Sequence, residues 1–269
     1  MDVIADTTEK GVRERRFEFK TGNELVPGIM WTPADVDSTG ARRPTILIGH
    51  GGTQHKRAPN VLALGRRFVR HLGYAAVAID APGHGDRITD QAAADEARRN
   101  LEARIAQSRK EGRSVGLQMD AESARAWVER TTKGVAEWKA LLDEFGTSDD
   151  LGVSRTGPWG YWGVSMGTAI GLPFVASEPR ISAATLGLAG LGTRPGADDF
   201  EAAARSLRIP VLFLFQWNDE LVSHEHGLAL FDALGSQEKT LHVNPGGHVE
   251  MPLFEREAAE AFFARHLEL

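Results

Sequence analysis

The sequence predicts an α/β fold, a mostly parallel central sheet of about eight strands flanked by helices. Three observations predict it. Continuous apolar runs at residues 45–49, 74–79 and 211–215 suit strands buried on both faces. Segments with apolar residues at helical spacing alternate with these runs. Several runs end in polar, glycine-containing stretches, where the ligands of a parallel sheet gather.

Composition sets the outer bounds. With 269 residues, 42% hydrophobic and 25% charged, the chain is long enough to bury a substantial core and has ordinary globular usage. Its net charge is −6, and Lys and Arg are interspersed with acids, so no nucleic-acid partner is expected. There is no cysteine, which excludes disulfides, thiolate metal sites and a cysteine nucleophile. Residues 1–16 are polar, and no apolar run reaches 18 residues. No signal peptide, no membrane association and a cytoplasmic location are therefore the expectations.

Taken in order, residues 15–33 alternate and are rich in β-formers, with a turn at Thr21-Gly22-Asn23, which predicts a hairpin ending at Pro33. A loop to Pro44 follows. Residues 45–49 form the next strand, ending in His50-Gly51-Gly52-Thr53. Residues 60–72 place Val61, Leu64, Phe68, Val69 and Leu72 at helical spacing, with Gly73 as the stop. The strand at 74–79 then runs into Asp80-Ala81-Pro82-Gly83-His84-Gly85-Asp86. Strand, helix and strand at this spacing make a right-handed βαβ unit.

Residues 87–127, after the fourth predicted strand, break the rhythm. Residues 93–112 are highly charged and carry only a narrow apolar stripe at Ala94, Ala97, Leu101 and Ile105. This reads as a helical insertion, either a lid or an oligomer arm of the kind that would join a homodimer. A helix over 123–145, bearing Trp127, Val135, Trp138, Leu141, Leu142 and Phe145, returns the chain to the core, and 146–150 is a loop. Strands at 181–188, 211–215 and 240–243 alternate with helices at 198–207, 224–234 and 252–266. One domain, 1–269, with one insertion accounts for the chain.

Between the loop at 146–150 and the strand at 181–188 lies Gly163-Val164-Ser165-Met166-Gly167, after an aromatic run and before an Ala/Ile/Leu-rich segment. Strand, sharp turn and helix in that order expose the serine hydroxyl. A five-residue pattern alone is weak evidence. A serine also needs a base within reach and a third group to orient that base. Asp219 stands just past the 211–215 strand, in Gln216-Trp217-Asn218-Asp219-Glu220, and His248 stands past the 240–243 strand, in Pro245-Gly246-Gly247-His248. Glu220 is the neighbouring rival for the acid. Ser165, Asp219, His248 is also the chain order of triads on hydrolase sheets.

With these residues assembled, the chain resembles the α/β-hydrolases, and its front end resembles the branch of the dienelactone hydrolases and prolyl-oligopeptidase-like esterases. The resemblance rests on the hairpin to Pro33, His50-Gly51-Gly52, Asp80-Ala81-Pro82-Gly83-His84-Gly85, Gly163 to Gly167, Asp219-Glu220-Leu221-Val222 and Gly247-His248. Dienelactone hydrolases use cysteine, which this chain lacks, so the resemblance implies a serine esterase acting on a small-molecule ester. It implies Ser165 as nucleophile, His248 as general base and acid, and Asp219 as its orienting carboxylate. The implied oxyanion hole is the backbone N–H of Met166 with one from the His50-to-Thr53 turn, Gly52 being the choice.

His50 and His84 are expected to make structural hydrogen bonds, and Asp80 to fix its own loop. His224 and His226 form an H-x-H pair without a matching third ligand, so no metal and no cofactor are expected. Trp217, nearest in sequence to the acid, is the pocket candidate. The same triad could serve a thioester, an amide or peptide, or a carbon–carbon bond beside a ketone. Acyl transfer to an alcohol and a silent hydrolase fold kept for binding are the other readings.

Overall fold

The computed structural model describes residues 1–35, 43–116, 119–148, 151–192 and 195–267. The chain runs β1 (Asp2–Glu9), β2 (Val12–Thr21), β3 (Glu24–Pro33), β4 (Thr45–Gly49), α1 (Pro59–Leu72), β5 (Ala75–Ile79), α2 (Gln91–Glu111) and α3 (Ala121–Thr147). It continues through β6 (Trp159–Val164), α4 (Met166–Ser177), β7 (Ile181–Gly187), α5 (Ala197–Ser206), β8 (Val211–Gln216), α6 (His224–Ala233), β9 (Lys239–Asn244) and α7 (Glu255–His266).

Among the described residues the strands form one nine-stranded sheet in the order β1-β2-β3-β5-β4-β6-β7-β8-β9. The first three are antiparallel to one another and β3 is antiparallel to β5, whereas every pairing from β5 to β9 is parallel. This is the mostly parallel α/β-hydrolase sheet that the resemblance implied, with one strand more at its edge. The addition is β1, which pairs along β2 and is exposed at all positions but Ala5. A strand with no buried face has no apolar alternation to display. The helices α2 and α3, where the insertion is expected, consequently follow the fifth strand rather than the fourth.

Alternation through the sheet sorts side chains into two cores. Phe17, Met30, Leu47, Tyr161, Phe213 and Phe215 pack on one face with Trp138, Leu141 and Phe145 of α3, Ile170 and Phe174 of α4, and Leu230 of α6. Ile29, Trp31, Ile46, Ile48, Trp162 and Leu212 pack on the other with Val61, Leu64 and Phe68 of α1 and Phe263 of α7. Burial of a large apolar side chain contributes about 1.5–3 kcal/mol, so these two layers are the main source of stability.

The helix ends follow local chemistry. Gly73 closes α1 in the left-handed region at φ 69, and its N–H reaches Val69 O. The Asp90 carboxylate caps α2 through Ala93 N, and Asp120 caps α3 through Ser123 N. Among its 21 residues, α2 buries only Ser108, as the narrow stripe foretold. Residues 36–42 of the expected loop before Pro44, and 149–150 of the loop expected at 146–150, lie outside the described residues; α3 itself extends to Thr147. Among the described residues no helix is long and apolar enough to cross a membrane.

Candidate active site

Parallel strands point their carboxyl ends to one edge of a sheet. Ser165 follows β6, Asp219 follows β8 and His248 follows β9, so the three meet there. Ser165 sits between β6 and α4 at φ 58, ψ −119, a conformation that costs a non-glycine residue of order 1–3 kcal/mol. The surroundings impose it: Ser165 N–H donates to Gly187 O of β7, and Ser165 O accepts from Thr168 and Ala169 N–H. Thr168, fully buried, adds a second tie, its hydroxyl accepting from Gly187 N–H at 2.8 Å and lying 2.8 Å from Gly163 O.

Two glycines make the elbow possible by close approach. A Cβ on Gly163 would meet Gly167 O at 2.8 Å, and one on Gly167 would meet Gly49 O at 2.5 Å. The elbow therefore rests directly on the end of β4, the strand that leads into His50-Gly51-Gly52.

His248 Nε2 lies 2.9 Å from Ser165 Oγ, and its Nδ1 lies 2.9 and 2.8 Å from the two Asp219 oxygens. Because a carboxylate only accepts, Nδ1 carries the proton and Nε2 is left to accept from the serine hydroxyl. Asp219 Oδ1 also accepts from Leu221 and Val222 N–H at 2.8 and 2.9 Å, which fixes the aim of the carboxylate. Asp219 and His248 are both buried, and Ser165 is partly open.

Glu220 has a different part. Its Oε2 accepts from the backbone N–H of His248 at 2.7 Å, and its Oε1 accepts from Arg109 Nε at 2.6 Å. Burial pushes this carboxyl upward, but the His248 N–H and the Arg109 guanidinium outweigh it and hold the group below the usual glutamate range. Nothing in the sequence pointed to Arg109, one of many charged residues on an exposed helix. Glu220 had a signal, its position beside Asp219, which suggested competition for the imidazole rather than a grip on the backbone.

The turn after β4 is also held by side chains. His50 donates from Nδ1 to Gly51 O at 2.8 Å and accepts Ala81 N–H at Nε2, 3.0 Å away. Accepting at Nε2 needs a neutral ring, and burial pushes His50 down to about 4. His84 Nδ1 donates to Pro82 O at 3.0 Å, and burial lowers this ring as well. Asp80, fully buried, accepts from Lys56 N at 2.8 Å, Lys56 Nζ at 2.6 Å and Asp86 N at 2.9 Å. It thus fixes its own loop and the segment after the His50 turn together. Gly51 N–H is engaged by Gln54 Oε1 at 3.3 Å, and a Cβ on Gly52 would meet nothing within 4 Å.

Trp217, the expected pocket wall, has its ring stacked on His224 at 4.8 Å and 4° and is 48% exposed. Close to the elbow, a small cavity of about 10 Å³ is lined by His50, Trp138, Tyr161, Gly167 and Ile170 among others.

No family model and no curated protein matches the sequence. Solved structures do. A cold-adapted esterase from an Arctic intertidal metagenomic library is 35% identical, with a TM-score of 0.77 over 98% of this chain and 97% of that one. Acetyl xylan esterase 1 from Thermoanaerobacterium is 14% identical, with a TM-score of 0.68 over 98% of this chain and 87% of that one. A dienelactone hydrolase from Anabaena variabilis is 15% identical, with a TM-score of 0.61 over 96% of this chain and all of the other. The last two are alike in fold alone.

Proposed function

Because the chain belongs to the α/β-hydrolase superfamily and is a carboxylic-ester hydrolase, we propose that it cleaves its ester through Ser165, His248 and Asp219 by way of an acyl-enzyme. The observation that carries this reading is the unbroken hydrogen-bonded line from Ser165 Oγ through His248 to Asp219, with the serine held at φ 58.

In the first half-reaction Ser165 Oγ attacks the ester carbonyl while its proton passes to His248 Nε2. The carbonyl π pair moves onto oxygen, and that oxyanion is received by the backbone N–H groups of Met166 and Gly52. Removing one such donor typically raises the barrier by about 3 kcal/mol. The engagement of Gly51 N–H by Gln54 supports Gly52 as the donor from that turn. Collapse of the intermediate breaks the ester C–O bond, and His248 returns its proton to the departing alcohol. Water then attacks the acyl carbon, giving a proton to His248, and the acid leaves as Ser165 recovers its hydrogen. Asp219 keeps the imidazole in the required tautomer and balances its charge when protonated.

The substrate is a small-molecule ester, and residues 87–127 are read as an insertion into a single hydrolase domain, 1–269. The test is burst-phase hydrolysis of short- and medium-chain p-nitrophenyl esters by the natural protein and by Ser165→Ala. A stoichiometric burst that vanishes with turnover in the variant supports the acyl-enzyme. Full activity in Ser165→Ala would overturn it.

A further inference from the structure

Helix α2 has little apolar surface to hold it, yet its C-terminal end is fastened to Glu220 and Glu250. Glu220 receives three contacts from residues 109–115: Arg109 Nε on Oε1 at 2.6 Å, and Ser114 Oγ and Val115 N–H on its backbone oxygen at 3.2 and 3.0 Å. Ser108, the buried residue of α2, hydrogen-bonds to Arg113 O at 2.7 Å and shapes this connection. The remaining carboxylate oxygen of Glu220 holds His248 N–H at 2.7 Å. Arg109 also reaches Glu250 at 2.8 Å, and Glu250 accepts Gly247 N–H at 2.9 Å. One guanidinium therefore braces two carboxylates that each hold a backbone N–H of the His248 turn.

The turn itself is flexible by composition. Gly246 and Gly247 precede His248, and a Cβ on Gly247 would fall 2.5 Å from Glu220 Oε1, so glycine is what lets the carboxylate reach the backbone. Glu220 is 4% exposed; without the guanidinium its charge would be buried with neutral donors only.

Resting on the reading of Ser165 and His248 above, we infer that Arg109 and Glu220 are positioning residues for the esterase reaction, through which the docked insertion holds His248 at hydrogen-bonding distance from Ser165. The insertion is then a strap across the base-bearing loop. Because Arg109 is about half exposed, the brace is open to screening by salt.

The experiment measures kcat and KM on a p-nitrophenyl ester for the natural protein, Arg109→Met, Arg109→Lys, Glu220→Gln and the double variant Arg109→Met with Glu220→Gln, alongside Ser165→Ala. Loosening of a catalytic base is read in kcat, so Arg109→Met should lose roughly 10-fold to 100-fold in kcat with KM nearly unchanged. Arg109→Lys should keep most of the activity, because one donor still reaches Oε1. The double variant should be no worse than Glu220→Gln, since both act on one element. Salt at about 1 M, where the screening length is about 3 Å, should bring the natural protein toward Arg109→Met and leave that variant unmoved. Natural kcat in Arg109→Met, a loss confined to KM, or additive losses in the double variant would each overturn the inference. An active Ser165→Ala would instead remove the triad reading on which it rests. An inactive Ser165→Ala beside a fully active Arg109→Met would leave the triad intact and remove the brace alone.

Discussion

Replacing Gly167 with alanine tests how the nucleophile elbow is seated. Gly167 lies in the first turn of α4, against the end of β4, and an added Cβ would stand 2.5 Å from Gly49 O and 3.1 Å from Gly49 C. Ordinary contact begins at 3.4 Å, and both obstacles are backbone, with Gly49 paired to Gly163 of β6. The helix and the strand must therefore part by roughly 1 Å in an interior packed at crystal-like density. Overpacking of this kind costs about 1–3 kcal/mol. Alanine's better helix propensity offsets up to about 1 kcal/mol of that. Taken at the middle of both ranges, the net loss of about 1–2 kcal/mol should lower Tm by roughly 2–8 °C for a chain of this size. The same parting carries the His50-to-Thr53 turn away from Ser165, and a misplacement of about 1 Å can cost 100-fold in rate. Calorimetry would give the Tm, and stopped-flow burst kinetics would give acylation separately from KM. A variant with Tm at or above that of the natural protein and unchanged acylation would refute the reasoning, because helix propensity alone would then decide the outcome.

Two further substitutions probe the site. Asp219→Asn can still accept the Leu221 and Val222 N–H bonds through its oxygen, but it turns an N–H₂ toward the imidazole and favours the wrong tautomer. kcat should fall by on the order of 10³–10⁴ with circular dichroism unchanged, and activity within tenfold of natural would count against Asp219 as the orienting group. His50 supplies a pH test. Its folded value of about 4 lies below its ordinary 6.5, so the unfolded chain binds more protons between these values and stability falls as pH drops from 6.5 toward 4. The contribution is fully present above pH 6.5 and amounts to about 3 kcal/mol over that window. Urea unfolding at pH 7 and pH 4.5 should show this slope in the natural protein and a smaller one in His50→Gln. Equal slopes would contradict the burial argument.

Part of this site could be read from the chain because its logic is local. An apolar run followed by a polar, glycine-containing stretch marks the carboxyl end of a strand, and parallel strands bring such ends to one edge. That reasoning selected Ser165, Asp219 and His248, and the structure brings them within 2.9 Å of one another along the line. It also placed Asp80 in its own loop and left His50 and His84 to structural bonds, which their hydrogen-bond partners match. Nearness in sequence to Asp219 is what singles out Trp217, whereas the direction of its indole depends on its neighbours in space, which here include His224 and Phe215.

By itself, then, the amino-acid sequence determined the alternation of buried strands and helices, the strained serine turn and the order of the three candidate residues. Each follows from side-chain periodicity or from backbone preferences acting over a few positions. Only the tertiary structure decided that β1 joins the sheet, that Glu220 holds the backbone of the His248 turn and not its imidazole, and that α2 is tied to the base-bearing loop. The β1 strand buries neither face, so no pattern announces it. Asp219 and Glu220 are adjacent carboxylates, and His248, 28 positions beyond Glu220, takes the first on its ring and the second on its backbone N–H. Arg109 meets Glu220 across 111 positions of chain, and a contact at that separation follows from where the folded elements come to lie rather than from any local preference at either end.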